Sequence, residues 1–309
     1  MEIALTHATS LLRILLYPID SYDHQVGPES DRDTTLQWRR LWPFVAIHLL
    51  CLSVFWVGFS WFAFGVFAVS YLLRTLGITV GYHRLLAHRS FKAGRGTQFA
   101  LACLGNAAMQ RGPLWWAAHH RHHHQYTDAP EDHHSPVQHG FWRAHIGWVI
   151  SRAAYRSRLE RIPDFARFKE LRFLDRYDAL VPLLYGALMY GVGAAAAALW
   201  PDLGTSGLQT LVWGGALATV CLLHATFTIN SLAHLIGSRP YPTNDHSRNI
   251  ALLAPLTGGE SWHNNHHHFP ASARLGFRWW QLDPGWYLLL LLRRLGLVYD
   301  VRVIPDRLL

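Results

Sequence analysis

The sequence predicts an all-α integral membrane protein: four transmembrane helices in two hairpins, with a cytoplasmic helical cap that holds a di-metal site. Three observations carry that reading: long uncharged apolar runs, an uneven spread of positive charge, and histidines that recur at metal-ligand spacing. Half of the 309 residues are hydrophobic and only 16% are charged, which is more apolar surface than one soluble domain needs. Residues 41–73, 179–201 and 203–238 contain no Asp, Glu, Lys or Arg. A spanning helix takes about 20 apolar residues, so the first run, continued to residue 80, fits two helices and the later runs fit one each.

Taken in order, residues 1–17 place apolar side chains around Arg13 but carry Glu2 and lack a long apolar run with a cleavage site. They read as an interfacial helix and not as a signal peptide. Residues 21–40 are a polar linker. The first hairpin is 42–58 and 61–80, joined at Phe59 and Ser60, and it ends directly at His83. The segment 83–178 is rich in arginine, and within it the apolar stretch 97–109 is too short to span, so it lies against the membrane or dips into it. The second hairpin is 180–200 and 208–229. Both hairpin tips lack Lys and Arg, whereas segments 1–40, 83–178 and 231–309 carry nearly all the positive charge of a chain whose net charge is +8. The positive-inside bias therefore puts all three on the cytoplasmic side, with 41–82 and 179–230 as the membrane hairpins.

Residues 284–301 have an apolar core interrupted by Arg293 and Arg294, which suits an amphipathic helix that caps the site or lies on the membrane better than a fifth span. Cys51, Cys103 and Cys221 sit in apolar surroundings with no CxxC pair and read as inert thiols. Nothing in the charge pattern indicates nucleic acid as a partner. His48 and His224 are the ionisable groups read within the spans, which argues against a membrane metal transporter with charges along an ion path.

His120, His123 and His124 stand at i, i+3 and i+4, so their rings share one helix face, and His263, His266 and His267 repeat the spacing. His83 and His88 are harder to join: five residues of ideal helix turn about 500°, leaving the rings about 140° apart. They can bracket an ion only from a bent or terminating helix. His234 completes a set of nine, too many for one four-ligand site and suited to two ions of iron, zinc, copper or nickel. His119, His122 and His268 point off the ligand face, and His133, His134, His139, His145, His224 and His246 default to structural roles. Asp128, Glu131, Asp132 and Glu260 are candidates to orient ligand rings, and Asn230, one turn before His234, to hold a water near one metal.

The stretches GITVGYHRLLAHRSFK, HHRHHH, NSLAHLIGSRPY and GESWHNNHHHFP occur in that order and, over residues 41–301, the chain resembles the integral membrane fatty acyl desaturases, specifically the acyl-CoA Δ9 (stearoyl-CoA desaturase-like) branch. The resemblance implies two iron ions, one held by His83, His88, His120, His124 and His266. The other is held by His123, His234, His263 and His267, with Asn230 acting through water. It implies O2 as co-substrate and a cis double bond placed in a saturated fatty acyl chain carried by coenzyme A or another acyl carrier. A separate donor of cytochrome b5, ferredoxin or rubredoxin type supplies electrons. The implied location is a bacterial inner membrane or endoplasmic reticulum. The same ligands serve membrane hydroxylases of alkyl or acyl chains, which remain the alternative, as does an acyl-lipid substrate. Tyr71 and Thr75, on one face of the second span, are expected at the methyl end of the acyl chain, with Trp116 also touching substrate. Where the animal acyl-CoA enzymes have W-A-R-D-H, this chain has Trp116-Ala117-Ala118-His119-His120, which loosens the expectation of coenzyme A.

Overall fold

The computed structural model describes residues 19–22 and 34–305, so the interfacial helix expected over residues 1–17 lies outside the described residues. Among the described residues, four helical stretches are long and apolar enough to cross a membrane: Trp38–Val57, Trp61–Ala87, Leu180–Leu199 and Gly207–His234. Helix α1 (Trp38–Leu52) opens the first and a short turn, Val54–Val57, finishes it. Gly58, at φ 71°, reverses the chain in a conformation that side chains disfavour. Ser60 then starts α2 (Trp61–Leu76) by accepting the Ala63 amide on its hydroxyl, the usual way to satisfy a helix's first free donors. Phe55 and Trp56 are each 80% exposed, a surface that only lipid makes favourable.

The second span changes character near its end: α2 runs on into a π-helix, Gly77–Ala87. This stretch is wholly buried and packs against α3 (Arg95–Asn106), the apolar segment too short to span. Glycine makes the approach possible. A Cβ on Gly77 would stand 2.5 Å from the Gly105 nitrogen, and one on Gly81 would stand 2.7 Å from the Leu101 carbonyl oxygen.

Helix α4 (Pro113–Tyr126) carries the first H-x-x-H-H group. Its N-terminus is fixed from outside: the carboxylate of Asp175, on α5 (Lys169–Arg176), accepts the amides of Leu114 (2.9 Å) and Trp115 (2.7 Å). A carboxylate at a helix N-terminus also meets the positive end of the helix dipole. The second hairpin is α6 (Leu180–Leu199) and α7 (Ala218–Asn230), the latter reached through a second π-helical stretch, Leu211–Leu217. Two short helices follow, α8 (His263–His268) and α9 (Pro284–Arg294). The helix expected over 284–301 thus ends earlier, because Gly296 at φ 70° turns the chain into β2 (Val298–Tyr299), which pairs antiparallel with β1 (Lys92–Ala93).

Arg74 is an ionisable group inside the second span that the sequence reading passed over, having named only His48 and His224. It is buried yet well solvated by protein: Nε donates to the Ser70 carbonyl, Nη1 to the Thr219 hydroxyl (2.5 Å) and the Ala107 carbonyl, and Nη2 to the Gly214 carbonyl (3.0 Å). Gly214 lies in the π-helical stretch Leu211–Leu217, and its carbonyl also accepts from the Ser70 hydroxyl.

Candidate metal centre

The His83/His88 difficulty is removed by the π-helix. Its hydrogen bonds run from residue i+5 back to i, and the His88 amide donates to the His83 carbonyl at 3.0 Å. Residues five apart then lie nearly above one another, and the two rings meet edge-on with centroids 4.6 Å apart.

Two groups of imidazoles result, in each of which one nitrogen per ring lies within 4.8 Å of all the others. The first contains His83, His88, His120, His124 and His266; the second contains His123, His234, His263 and His267. In the first, Nε2 atoms are 3.1 Å apart for His83 and His266, 2.8 Å for His88 and His120, and 2.9 Å for His124 and His266. In the second, His234 and His263 Nε2 atoms stand 3.0 Å apart. Neighbouring ligands at about 2.1 Å from one ion are separated by about 3 Å, so these spacings fit a shared ion. The i, i+3, i+4 spacing divides between the groups: α4 sends His120 and His124 to one and His123 to the other, while α8 sends His266 to the first and His263 and His267 to the second. The groups abut, with the rings of His124 and His267 stacked at 4.5 Å.

Four rings have a carboxylate at Nδ1, hydrogen-bonded to His123, His234 and His267 and in ion-pair contact with His83. Glu260 meets His83 at 2.6 Å, Asp132 meets His123 at 2.9 Å, Asp128 meets His234 at 3.0 Å and Asp245 meets His267 at 2.8 Å. A carboxylate there holds the proton on Nδ1 and leaves Nε2 as the free donor. His267 shows the consequence: its Nε2 is buried and has no hydrogen-bond partner among the described residues. Burial works against the Asp128 carboxylate, but hydrogen bonds from His234, Ser135 and the His246 amide bring its pKa down to about 2. Asp132 and Asp245 are likewise held well below the ordinary range against burial by their histidine partners. Burial first, and crowding by neighbouring rings second, push His88, His120, His124, His263 and His266 well below the usual imidazole value, so they stay neutral, the form that binds metal.

Of the four proposed orienting carboxylates, Asp128, Asp132 and Glu260 take that position. Glu131 does not; only its backbone carbonyl is used, accepting from His122 at 2.9 Å. Asp245 was missed, and no spacing announces it, since it reaches His267 from a loop. Asp132 also meets His134 Nδ1 at 2.9 Å, drawing in a histidine first assigned a purely structural role. His119 points away to the Arg156 carbonyl and His268 to that of Pro242.

The C-terminal ligands are pinned to the π-helix by a buried ion pair, Arg84 with Asp283 at 2.7 Å, and Arg84 Nη1 also donates to the Ala273 carbonyl at 2.9 Å. Helix α8 is clamped separately: the Asn249 side-chain oxygen accepts the amides of Asn264 (2.9 Å) and Asn265 (3.2 Å), two of the free donors at its start.

Two cavities meet beside the imidazoles. The larger, about 790 Å³, has Arg39, Arg40, Arg111 and Asp178 at its polar end, runs between α1, α6 and α7, and reaches Trp116, His120 and Asn230. The smaller, about 40 Å³, is lined by Thr75, Thr79, His83, His123, His263 and Thr257, and shares Trp116, His120, Thr226 and Asn230 with the first. Trp116, which lines both, stacks on His120 at 5.0 Å. Thr75 therefore lies in the small cavity. Tyr71 lines neither of these two cavities; its hydroxyl donates to the Leu256 carbonyl at 2.8 Å. At the polar end Arg40 is buried, donates to the carbonyls of Val149, Ala154 and Tyr155, and lies 4.4 Å from the Tyr155 ring centre.

The fatty acid desaturase family model matches residues 59–302. Among known proteins, an acyl-CoA 5-desaturase of Anemone leveillei is 37% identical over 92% of this chain and 88% of its own length. A Delta-9 acyl-lipid desaturase of Arabidopsis thaliana is 38% identical, covering 89% of each. An sn-2 palmitoyl-lipid 9-desaturase of Nostoc sp. (strain 36) is 35% identical over 91% of this chain and 96% of its own length.

Proposed function

We propose that this chain, which belongs to the fatty acid desaturase family, places a cis double bond at the Δ9 position of a saturated fatty acyl chain, with coenzyme A as the carrier. The observation that carries the reading is the pair of abutting imidazole groups at the junction of two cavities, one long and one short. Two iron ions bound there would supply the O2-dependent oxidation: two hydrogens leave adjacent methylenes and, with two electrons from a separate donor protein and two protons from solvent, reduce O2 to two waters. His83, His88, His120, His124 and His266 would hold one ion, and His123, His234, His263 and His267 the other, with Asn230 acting on that second ion through water.

The rest of the task is positional, since an unactivated methylene offers no handle and the cut falls wherever the chain is held. The acyl chain enters past Arg39, Arg40 and Arg111, whose charge suits a phosphorylated head group, and passes Trp116 into the small cavity. Trp116 and the threonines of the small cavity exclude water from the reacting carbons. Thr75, eight residues before His83 and lining the same small cavity, stands at the methyl end. The arginine-rich segments, which we place on the cytoplasmic side, also suit an acidic electron donor.

A second reading, an acyl chain still esterified in a membrane lipid, is favoured by the names of the Arabidopsis and Nostoc relatives. Ala118 and His119 at the W-A-R-D-H positions favour it too, because neither offers a charged contact to coenzyme A. Expression in a host lacking Δ9 unsaturated acids, followed by mass spectrometric location of double bonds in its acyl-CoA and lipid pools, tests both. A new alkene at carbon 9 is the expected product. An alcohol, or no change, would defeat the assignment.

A further inference from the structure

We propose that residues 250–257 form a re-entrant loop seated in the hydrocarbon of the leaflet nearest the histidines, where its last residue, Thr257, closes the lipid side of the small cavity. The loop is closed at its base, where the Ile250 amide donates to the Ser261 carbonyl (2.9 Å) and Asn249 bridges Trp262. Its body is one 3-10 turn, Ala251–Leu253, followed by further tight turns, with no charged residue from 250 to 259. Leu252 is 84% exposed and Leu256 52%.

Depth comes from the second span. The Tyr71 hydroxyl donates to the Leu256 carbonyl, and Tyr71 stands ten residues, about 15 Å, from the far end of that span at Trp61. That is near the middle of an apolar layer about 30 Å thick. Exposed leucines at such a depth face acyl chains, and irregular backbone survives there only against protein or lining a cavity. This loop does both. Gly258, at φ 65°, fits against Thr79 and Thr75, where a Cβ would come within 2.8 Å of the Thr79 methyl, and Thr257 lines the cavity beside them. The loop's base is marked by tryptophan: Trp279 is 90% exposed, and Trp280 packs edge-on against Trp262. Exposed tryptophans beside apolar surface are typical of the headgroup level.

The functional consequence rests on the reading of the small cavity as the acyl site. With Tyr71 as the latch, a displaced loop opens that cavity sideways onto lipid, so acyl chains exchange with the bilayer directly. Tyr71 then acts on the cavity through the loop and not by lining it.

The wild-type protein, reconstituted in phosphatidylcholine vesicles carrying a phospholipid with a diazirine in its acyl chain, is irradiated and the labelled peptides are identified. Label on the peptide containing 250–257, at a yield comparable with the α1 peptide and absent from 239–247, is the expected result. Labelled α1 with an unlabelled 250–257 peptide would overturn the proposal. Independently, a nitroxide on Leu252→Cys, in a background with Cys51, Cys103 and Cys221 changed to serine, should collide with oxygen more than with a water-soluble nickel chelate. Greater nickel access would contradict it. Tyr71→Phe should raise the mobility of that label, and unchanged mobility would remove the latch. No readout depends on turnover, so failure of the desaturation assay alone would count against the reaction and not the loop.

Discussion

Replacing Asp245 by asparagine should empty one metal position without moving a ligand. One carboxylate oxygen of Asp245 accepts from the Thr243 hydroxyl and the Ser247 amide, both at 2.9 Å, while the other meets His267 Nδ1. In Asp245→Asn the first two donors keep the amide oxygen where it is, so the NH2 faces His267. The ring must then accept on Nδ1 and carry its proton on Nε2, the atom aimed at the second imidazole group. Loss of a carboxylate behind a metal-bound histidine costs about 10- to 100-fold in affinity, or about 1.4–2.8 kcal/mol. The assay is iron retention during titration with a chelator, read beside turnover. One iron per chain should leave at 10- to 100-fold lower chelator concentration while the other stays. Coincident curves for variant and parent would refute the tautomer argument.

Three more outcomes follow. Thr75→Leu narrows the small cavity, so the ratio of C16 to C18 products should rise while metal content holds; an unchanged ratio would remove Thr75 from the acyl path. Gly77→Ala drives a methyl into the backbone of Leu104 and Gly105, and overpacking of this kind costs about 1–3 kcal/mol, seen as a lower unfolding midpoint. In metal-stripped protein the depressed pKa values of the five buried histidines leave the folded state neutral while the unfolded chain takes up protons below about pH 6.5. Their contribution is therefore full above that pH and is lost as pH falls toward the folded values. The thermal midpoint should be flat near pH 7–8 and decline below about 6.5, and a rise on acidification would contradict the sign.

What the sequence made legible was what is local and periodic. Four spans announce themselves by charge-free length, and the faces of α4 and α8 by i, i+3, i+4 spacing. His83 and His88 were recognisable as a pair but not as a geometry, because a π-helix is set by packing, here three glycines at the α2–α3 crossing, and leaves no periodic mark. Asp245 and the Arg84–Asp283 pair join positions 22 and 199 residues apart, a separation at which no spacing rule operates. The loop at 250–257 is uncharged but far below the length of a span, so hydropathy passes over it. Thr75 and Tyr71 share one helix face, as their spacing indicates, but Thr75 lines the small cavity whereas Tyr71 is long enough to reach the Leu256 carbonyl.

Iron content bears most directly on the central claim that nine imidazoles hold two ions beside the acyl cavity. Protein purified from iron-replete cells and freed of loosely bound metal should hold two iron ions per chain, with nitrogen scatterers near 2.1 Å by X-ray absorption. His266→Ala and His267→Ala should each lower the count, and both should abolish turnover. A parent protein that desaturates without stoichiometric iron, or either variant at full activity, would contradict it.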